Sequence, residues 1–295
     1  MRNIFKGLGV AIITPFKADK TIDFEALKKL VQLQIKGGTD YLVVQGTTGE
    51  SPVLSQEEKQ LVLETVIAEN NGQLKIVYGV GGNNTSAVCE LIKKIPTGVD
   101  GILSVSPYYN KPTQKGMIEH FKHVAASTVL PIILYNVPGR TSSNMFVSTT
   151  LELAKIENIV AIKEASGNME QIMDLLSKKP DGFGIISGDD PLTFPMLTMG
   201  ADGVISVVAN AYPEVFSKMV HSGLNAEYEI AKNIHFDLLE VTKMFFEEGN
   251  PAGVKVALES RGICSTNLRL PLVEVSSELE EKIKIETKRI IAKYL

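Results

Sequence analysis

Residues 158–167 read Asn-Ile-Val-Ala-Ile-Lys-Glu-Ala-Ser-Gly, or NIVAIKEASG. Ile159 to Ile162 form the short apolar run of a parallel strand covered on both faces. The run ends in a charged pair, Lys163-Glu164, and then in small loop residues. Lysine is among the residue types least often buried, so a lysine closing a buried strand needs a reason. By alternation Ile159, Ala161 and Lys163 share one face, and Val160 and Ile162 the other.

Outward from this stretch the pattern repeats. Strands are expected within GLGVAIITP, YLVVQG, KIVYGVG, GILSVSP, PIILYNVP, IVAIKEASG, FGIISGDD and DGVISVVAN. Segments with helical spacing separate them, such as Phe24, Leu27, Leu30, Val31 and Ile35, or Leu61, Val62, Val66 and Ile67. Eight βα units in series suit a (β/α)8 TIM barrel, whose usual length is about 250 residues. A doubly wound open sheet is the competing α/β architecture. Beyond residue 224, Ile230, Ile234, Leu238, Val241 and Phe245 mark one helical face, EEGNPAG (247–253) interrupts it, and two more helices follow. The expected division is a catalytic barrel over 1–224 and a C-terminal three-helix domain over 225–295.

With 295 residues, 44% of them hydrophobic, the chain can bury a large core. A net charge of −4 without a basic run argues against nucleic acid as a partner. No apolar stretch reaches the ~18 residues that would span a membrane. The apolar N-terminal stretch runs straight into Thr14-Pro15-Phe16 and reads as a first strand rather than a signal peptide. Cys89 and Cys264, the only cysteines, suggest no disulfide framework and fit a reduced, cytoplasmic chain.

Barrel active sites lie at the C-terminal ends of the strands. If Ala161 faces the interior, Lys163 reaches into that mouth. Desolvation there disfavours the ammonium and makes the neutral, nucleophilic amine accessible, which attacks carbonyls to give a Schiff base. The plainer reading is a lysine paired with a carboxylate at the barrel rim. Strand five ends in LYNVPGRT, which brings Tyr135, a possible proton carrier, and Arg140, a fork for a carboxylate or phosphate. Strand two ends in QGTTGES, where Gly46 and Gly49 free the backbone to turn N–H groups toward an anion and Thr47 and Thr48 add hydroxyls. No Gly-Lys-Ser/Thr follows, so this is not a nucleotide phosphate loop. Strand four ends in SPYYNKP, and strand seven in SGDDP, whose acids oppose a sugar phosphate.

Weaker signals carry less. YGVGGNN lacks the last glycine of a dinucleotide fingerprint and reads as a turn. His120 and His123 read as solvated helix residues without a third zinc ligand. Met244, Phe245 and Phe246 read as core, and KIKIETKRIIAK as a solvated charged face.

Four stretches together, Gly46–Ser51, Tyr108-Tyr109-Asn110, Tyr135–Thr141 and Ile162–Ala165, resemble the dihydrodipicolinate synthase family of the pyruvate-dependent class I aldolases and lyases. The resemblance covers essentially the whole chain. It implies that Lys163 condenses with pyruvate, that the resulting enamine adds to L-aspartate 4-semialdehyde, and that ring closure releases the lysine, in diaminopimelate and lysine biosynthesis. It further implies a proton relay of Thr47 and Tyr135 completed by Tyr109 of a neighbouring subunit. Thr48 would bind the pyruvate carboxylate and Arg140 that of the semialdehyde. The main chain at Ile205, with Gly188 and Asp189, would border the site. No metal or organic cofactor is implied. The assembly implied is a homotetramer, a dimer of dimers. The resemblance leaves two other readings: a 2-keto-3-deoxy sugar acid aldolase or N-acetylneuraminate lyase, and a keto-acid sensor on the same fold. Many members of the family are inhibited by L-lysine at a subunit interface. Here Ala87 stands where an acid is expected to meet the ligand's ammonium, and Lys59 and Gln56 stand where histidines are common, so weak lysine sensitivity is expected.

Overall fold

The computed structural model describes residues 3–295. Eight parallel strands close into a barrel in sequence order: β1 (Gly7–Ala11), β2 (Tyr41–Val44), β3 (Lys75–Gly79), β4 (Gly101–Val105), β5 (Ile132–Asn136), β6 (Ile159–Glu164), β7 (Gly184–Ser187) and β8 (Gly203–Ser206). β8 pairs back onto β1, with Gly7 opposite Gly203 and Gly9 opposite Ile205. This is the (β/α)8 barrel, and the open-sheet alternative is excluded by the closure. The helices among and after the strands are α1 (Phe24–Lys36), α2 (Gln56–Asn70), α3 (Thr85–Ile92), α4 (Gln114–Ala126), α5 (Pro138–Thr141), α6 (Val147–Leu153), α7 (Met169–Lys178), α8 (Thr193–Thr198) and α9 (Pro213–Leu224). The C-terminal helices are α10 (Tyr228–Glu247), α11 (Ala252–Ser260) and α12 (Ser277–Tyr294). No helix among the described residues is long and apolar enough to cross a membrane.

Local chemistry sets the helix starts. Ser55 and Glu58 form a reciprocal capping box at α2, at 3.1 and 3.0 Å. Asp23, Asn84, Thr113, Asn168 and Ser276 each accept a first-turn amide of the helix they precede. Ile234, Leu238, Val241 and Phe245 of α10 are buried as their spacing requires, whereas Ile230, one turn earlier, is exposed. α10 and α12 share one apolar core with the barrel's own helices, from Leu8 and Leu30 to Phe245 and Ile290.

The barrel interior is packed. Phe5, Tyr41, Val43, Val77, Leu103 and Ile133 fill it. Tyr41 crosses to donate to the Val204 carbonyl, and its ring lies so close to Gly9 that any Cβ there would overlap it. β6 departs from simple alternation. Ile132 pairs with Ile159 but Ile133 with Ala161, so Val160 is an extra residue, a bulge. Val160 and Ala161 therefore both face the interior, and Ile159 packs outside with Ile162. The shared face expected for Ile159 is wrong by this one residue. Ala161 lines the interior as expected, and Lys163 stands two residues on at the strand's end.

His120 also differs from the sequence reading. It is buried, and its Nδ1 bonds Thr85 Oγ1 at 2.8 Å, joining α4 to α3. Burial pushes its pKa down to about 4. His123, by contrast, is exposed.

Candidate active site

At the C-terminal ends of the strands lies a cavity of about 570 Å³, here the lysine cavity. Lys163, Tyr135, Thr47, Thr48, Arg140, Gly188 and Asp189 all line it. The sequence had placed these residues at the ends of four different strands or in the loops after them, and closure of the barrel brings them together.

Lys163 is only 6% exposed, yet no carboxylate or hydrogen-bond acceptor of the described chain meets its amine. Its Nζ sits 4.3 Å from the centre of the Tyr135 ring. β5 and β6 put these two residues directly opposite each other in register. The rim ion pair that would have explained the lysine structurally is absent among the described residues. The neighbouring acid, Glu164, turns the other way. It accepts from Asn136 Nδ2 at 3.1 Å and from the Ser166 amide at 2.8 Å, and burial raises its pKa. Gly188 is required beside the lysine, since a Cβ there would come within 3.0 Å of Lys163 Cγ and Cε.

The loop after β2 forms a 3-10 turn, Thr47–Gly49. Gly49 and Glu50 N–H close that turn on Gly46 and Thr47 carbonyls. The N–H groups of Thr47 and Thr48 have no acceptor within the described chain. The left-handed residues here are Gln45 (φ +63°) and Glu50 (φ +54°), not the glycines. Gly49 instead allows close approach of the Ile12 carbonyl, 3.3 Å from where a Cβ would stand. Glu50 is fully buried in an ion pair with Lys255, at 2.6 Å. Burial lowers the Lys255 pKa.

Arg140 is carried on the short helix α5, which begins at Pro138, and no carboxylate of the described chain pairs with it. After β7, Asp190 accepts from the Val207 and Val208 amides at 2.9 and 3.1 Å. Those are amides a phosphate near strands seven and eight would use, and they are already occupied. Burial raises the pKa of Asp189. Ile205 lies in the packed interior and is not among the residues that line this cavity. Tyr109 is not brought to the site within this chain: it is 87% exposed, at φ +72°.

A second cavity of about 620 Å³, the outer cavity, shares Thr47, Tyr135, Arg140 and Asn250 with the first. Gln45, Gln56, Lys59, Tyr78 and Tyr108 line its remainder. The sequence reading missed two buried groups. Gln45 has neither amide atom hydrogen-bonded, and Asn250 lines both cavities. Only the break at EEGNPAG pointed toward Asn250. Phe246 belongs to the wall of the lysine cavity, not to the core face assigned to it.

An unpaired amine beside a phenol in the mouth of a (β/α)8 barrel defines a class, the lysine-dependent barrel aldolases and lyases. The match to known proteins narrows it. The model of the dihydrodipicolinate synthetase family fits residues 4–290, and the chain belongs to that family. It is 51% identical to the 4-hydroxy-tetrahydrodipicolinate synthase of Parabacteroides distasonis, over 95% of each chain. It superposes on the dihydrodipicolinate synthase of Aquifex aeolicus with a TM-score of 0.94 and 42% identity, over 98% of this chain and 99% of that one. It superposes on the chloride-inhibited synthase of Acinetobacter baumannii, solved with pyruvate, with a TM-score of 0.93 and 38% identity, over 96% and 98%. These relatives favour the synthase over the sugar-acid aldolase, N-acetylneuraminate lyase and sensor readings.

Proposed function

We propose that this chain is a 4-hydroxy-tetrahydrodipicolinate synthase that joins pyruvate to L-aspartate 4-semialdehyde through a Schiff base on Lys163. One observation carries the reading: the Lys163 amine is buried, has no counter-ion, and lies 4.3 Å from the Tyr135 ring in a cavity open to substrate. Neutral Lys163 adds to the pyruvate ketone, and water leaves as the imine forms. Loss of a methyl proton gives the enamine, whose carbon attacks the aldehyde. The semialdehyde's own amine then attacks the imine carbon, closes the ring and expels the lysine.

The chain's residues divide this work by position. Thr48 and the free N–H groups of the Thr47–Gly49 turn hold the pyruvate carboxylate. Tyr135 passes protons at the imine carbon, with Thr47 beside it and Tyr109 from a second copy of the chain. Unpaired Arg140 holds the semialdehyde carboxylate at the entrance. Gly188 leaves room for the lysine, and Asp189 and the Ile205 main chain border the floor. Lysine is the electron sink, and no metal or organic cofactor takes part. Residues 1–224 carry the chemistry, and residues 225–295 close one wall of the site. The partners are the two substrates and other copies of the chain, in a homotetramer arranged as a dimer of dimers. The setting is cytoplasmic, in keeping with two free cysteines.

Borohydride reduction in the presence of pyruvate is the test. Mass spectrometry is expected to find one reduced adduct per chain, on Lys163. An unmodified Lys163, in protein that turns over both substrates, would overturn the mechanism.

A further inference from the structure

We propose that Asn250 is the positioning residue of the carboxylate loop, fixing the direction in which Thr48 offers its hydroxyl proton. The inference rests on the reading of Thr48 as a pyruvate carboxylate ligand. Asn250 stands in the break between α10 and α11, is 7% exposed, and lines both cavities. Its Nδ2 donates to Thr48 Oγ1 at 3.0 Å. Its Oδ1 is buried and meets no donor among the described residues.

A buried asparagine that served only the fold would satisfy both ends of its amide. This one spends its single bond on a hydroxyl at the site. A threonine hydroxyl that accepts from an amide N–H has no use for its own proton in that direction. The proton is left to point away from Asn250, and Thr48 otherwise lines the lysine cavity. An anion arriving there therefore meets a hydroxyl already turned to donate, beside the unpaired Thr47 and Thr48 amides. Preorganised donors of this kind need no reorientation when the ligand binds. The same stretch of chain grips the loop a second time, five residues on, through the buried Lys255–Glu50 pair. The ion pair holds the loop's place, and Asn250 sets the polarity of one hydroxyl on it.

Four variants test this: Asn250→Ala, Asn250→Asp, Thr48→Val and the double Asn250→Ala/Thr48→Val. The readouts are the pyruvate concentration giving half-maximal borohydride trapping, the KM for each substrate, kcat, and the thermal melt. Asn250→Ala and Thr48→Val are each expected to raise the half-trapping concentration by roughly tenfold, the scale of one hydrogen bond to a charged group. The double variant is expected to be no worse than Thr48→Val, because the two act as one unit. Asn250→Asp keeps the shape of the side chain but can only accept. It takes up the Thr48 proton and repels the carboxylate, so it is expected to do more harm to pyruvate trapping than Asn250→Ala, with a melt near wild type. A fold role alone would instead lower the melt in step with the loss of trapping, in both Asn250 variants. Asn250→Asp that traps pyruvate like wild type, or single effects that multiply in the double variant, would overturn the proposal. Thr48→Val without effect on trapping would instead remove the Thr48 reading beneath it. An effect of Thr48→Val with none from Asn250→Ala would overturn the role of Asn250 alone.

Discussion

The two ends of the barrel treat polar groups in opposite ways. At the N-terminal end an acid precedes each of β2, β4 and β8, and each bonds the strand before it. Asp40 accepts the Leu8 amide at 2.7 Å, Asp100 the Ile76 amide at 2.7 Å, and Asp202 the Ile185 amide at 3.0 Å. Each acid also returns its own N–H to the same residue's carbonyl. Before β6, Asn158 fills the place. Its carbonyl accepts the Ile132 amide, and its side chain donates to Ala125 and Thr128. At the C-terminal end, among the described residues, the buried Lys163 amine has no hydrogen-bond or ion-pair partner, both ends of the buried Gln45 amide are unbonded, and Asn250 leaves its side-chain oxygen without a donor, while exposed Arg140 has no carboxylate. Unpaired buried polar groups oppose folding, so the mouth is held open against stability by the paired rest of the barrel. One end ties the strands, and the other waits for ligands.

The sharpest way to break this contrast is at its centre. Lys163→Met is expected to cost at least ~10⁴-fold in kcat/KM, as loss of a covalent nucleophile does, while the melting temperature stays level or rises because a buried amine without a hydrogen-bond partner is gone. Steady-state kinetics beside a thermal melt reads both, and a clear drop in stability would mean that Lys163 has a structural partner.

At the opposite end the expected signs reverse. Asp40→Ala should destabilise the fold by about 1–2 kcal/mol, through the lost amide bond and the half-exposed pair with His221, while leaving kcat/KM nearly unchanged. Denaturant titration measures the first and the coupled assay the second. A loss of activity without a loss of stability would break the division between the two ends.

Gln45 sharpens it from the ligand side. It is only 5% exposed and its side-chain amide has no hydrogen bond among the described residues, so Gln45→Leu should stabilise the empty protein by about 1 kcal/mol. A destabilised variant would mean that the amide is satisfied in the native fold.

His120 gives a smaller, pH-dependent effect at neither end. Its folded pKa, about 4, lies below its ordinary 6.5, so the unfolded chain binds the extra proton between those values. The fold should therefore lose stability as pH falls from 6.5 toward 4, and His120→Leu should flatten that part of the curve. Identical curves for the two proteins would show that His120 takes up its proton in the folded state.

The smallest effect expected is none. Lys59 lines the outer cavity beside Gln56 and Tyr108 without a carboxylate partner, while Ala87 supplies no acid. A cationic ligand such as L-lysine should bind poorly there, and submillimolar lysine should leave the rate unchanged. Strong inhibition would show that other groups at this site meet the ligand's ammonium.

Much of this was legible in the order of residues because it depends on local periodicity and short motifs. The eight apolar runs marked eight strands, and Lys163, Tyr135, Arg140 and the Thr47-Thr48 pair all fell at strand ends, where barrel chemistry must lie. Closure of the barrel decided the rest. A bulge at Val160 moved Ile159 outward, because register depends on the partner strand and not on the run itself. His120 was buried by Thr85, far off in sequence. Asn250 and Gln45 became site residues only through contacts and cavities made by distant segments. Whether a polar side chain is paired is a property of its neighbours in space. The sequence by itself determined which residues could do the chemistry, and the tertiary structure decided which of them were left unpaired to do it.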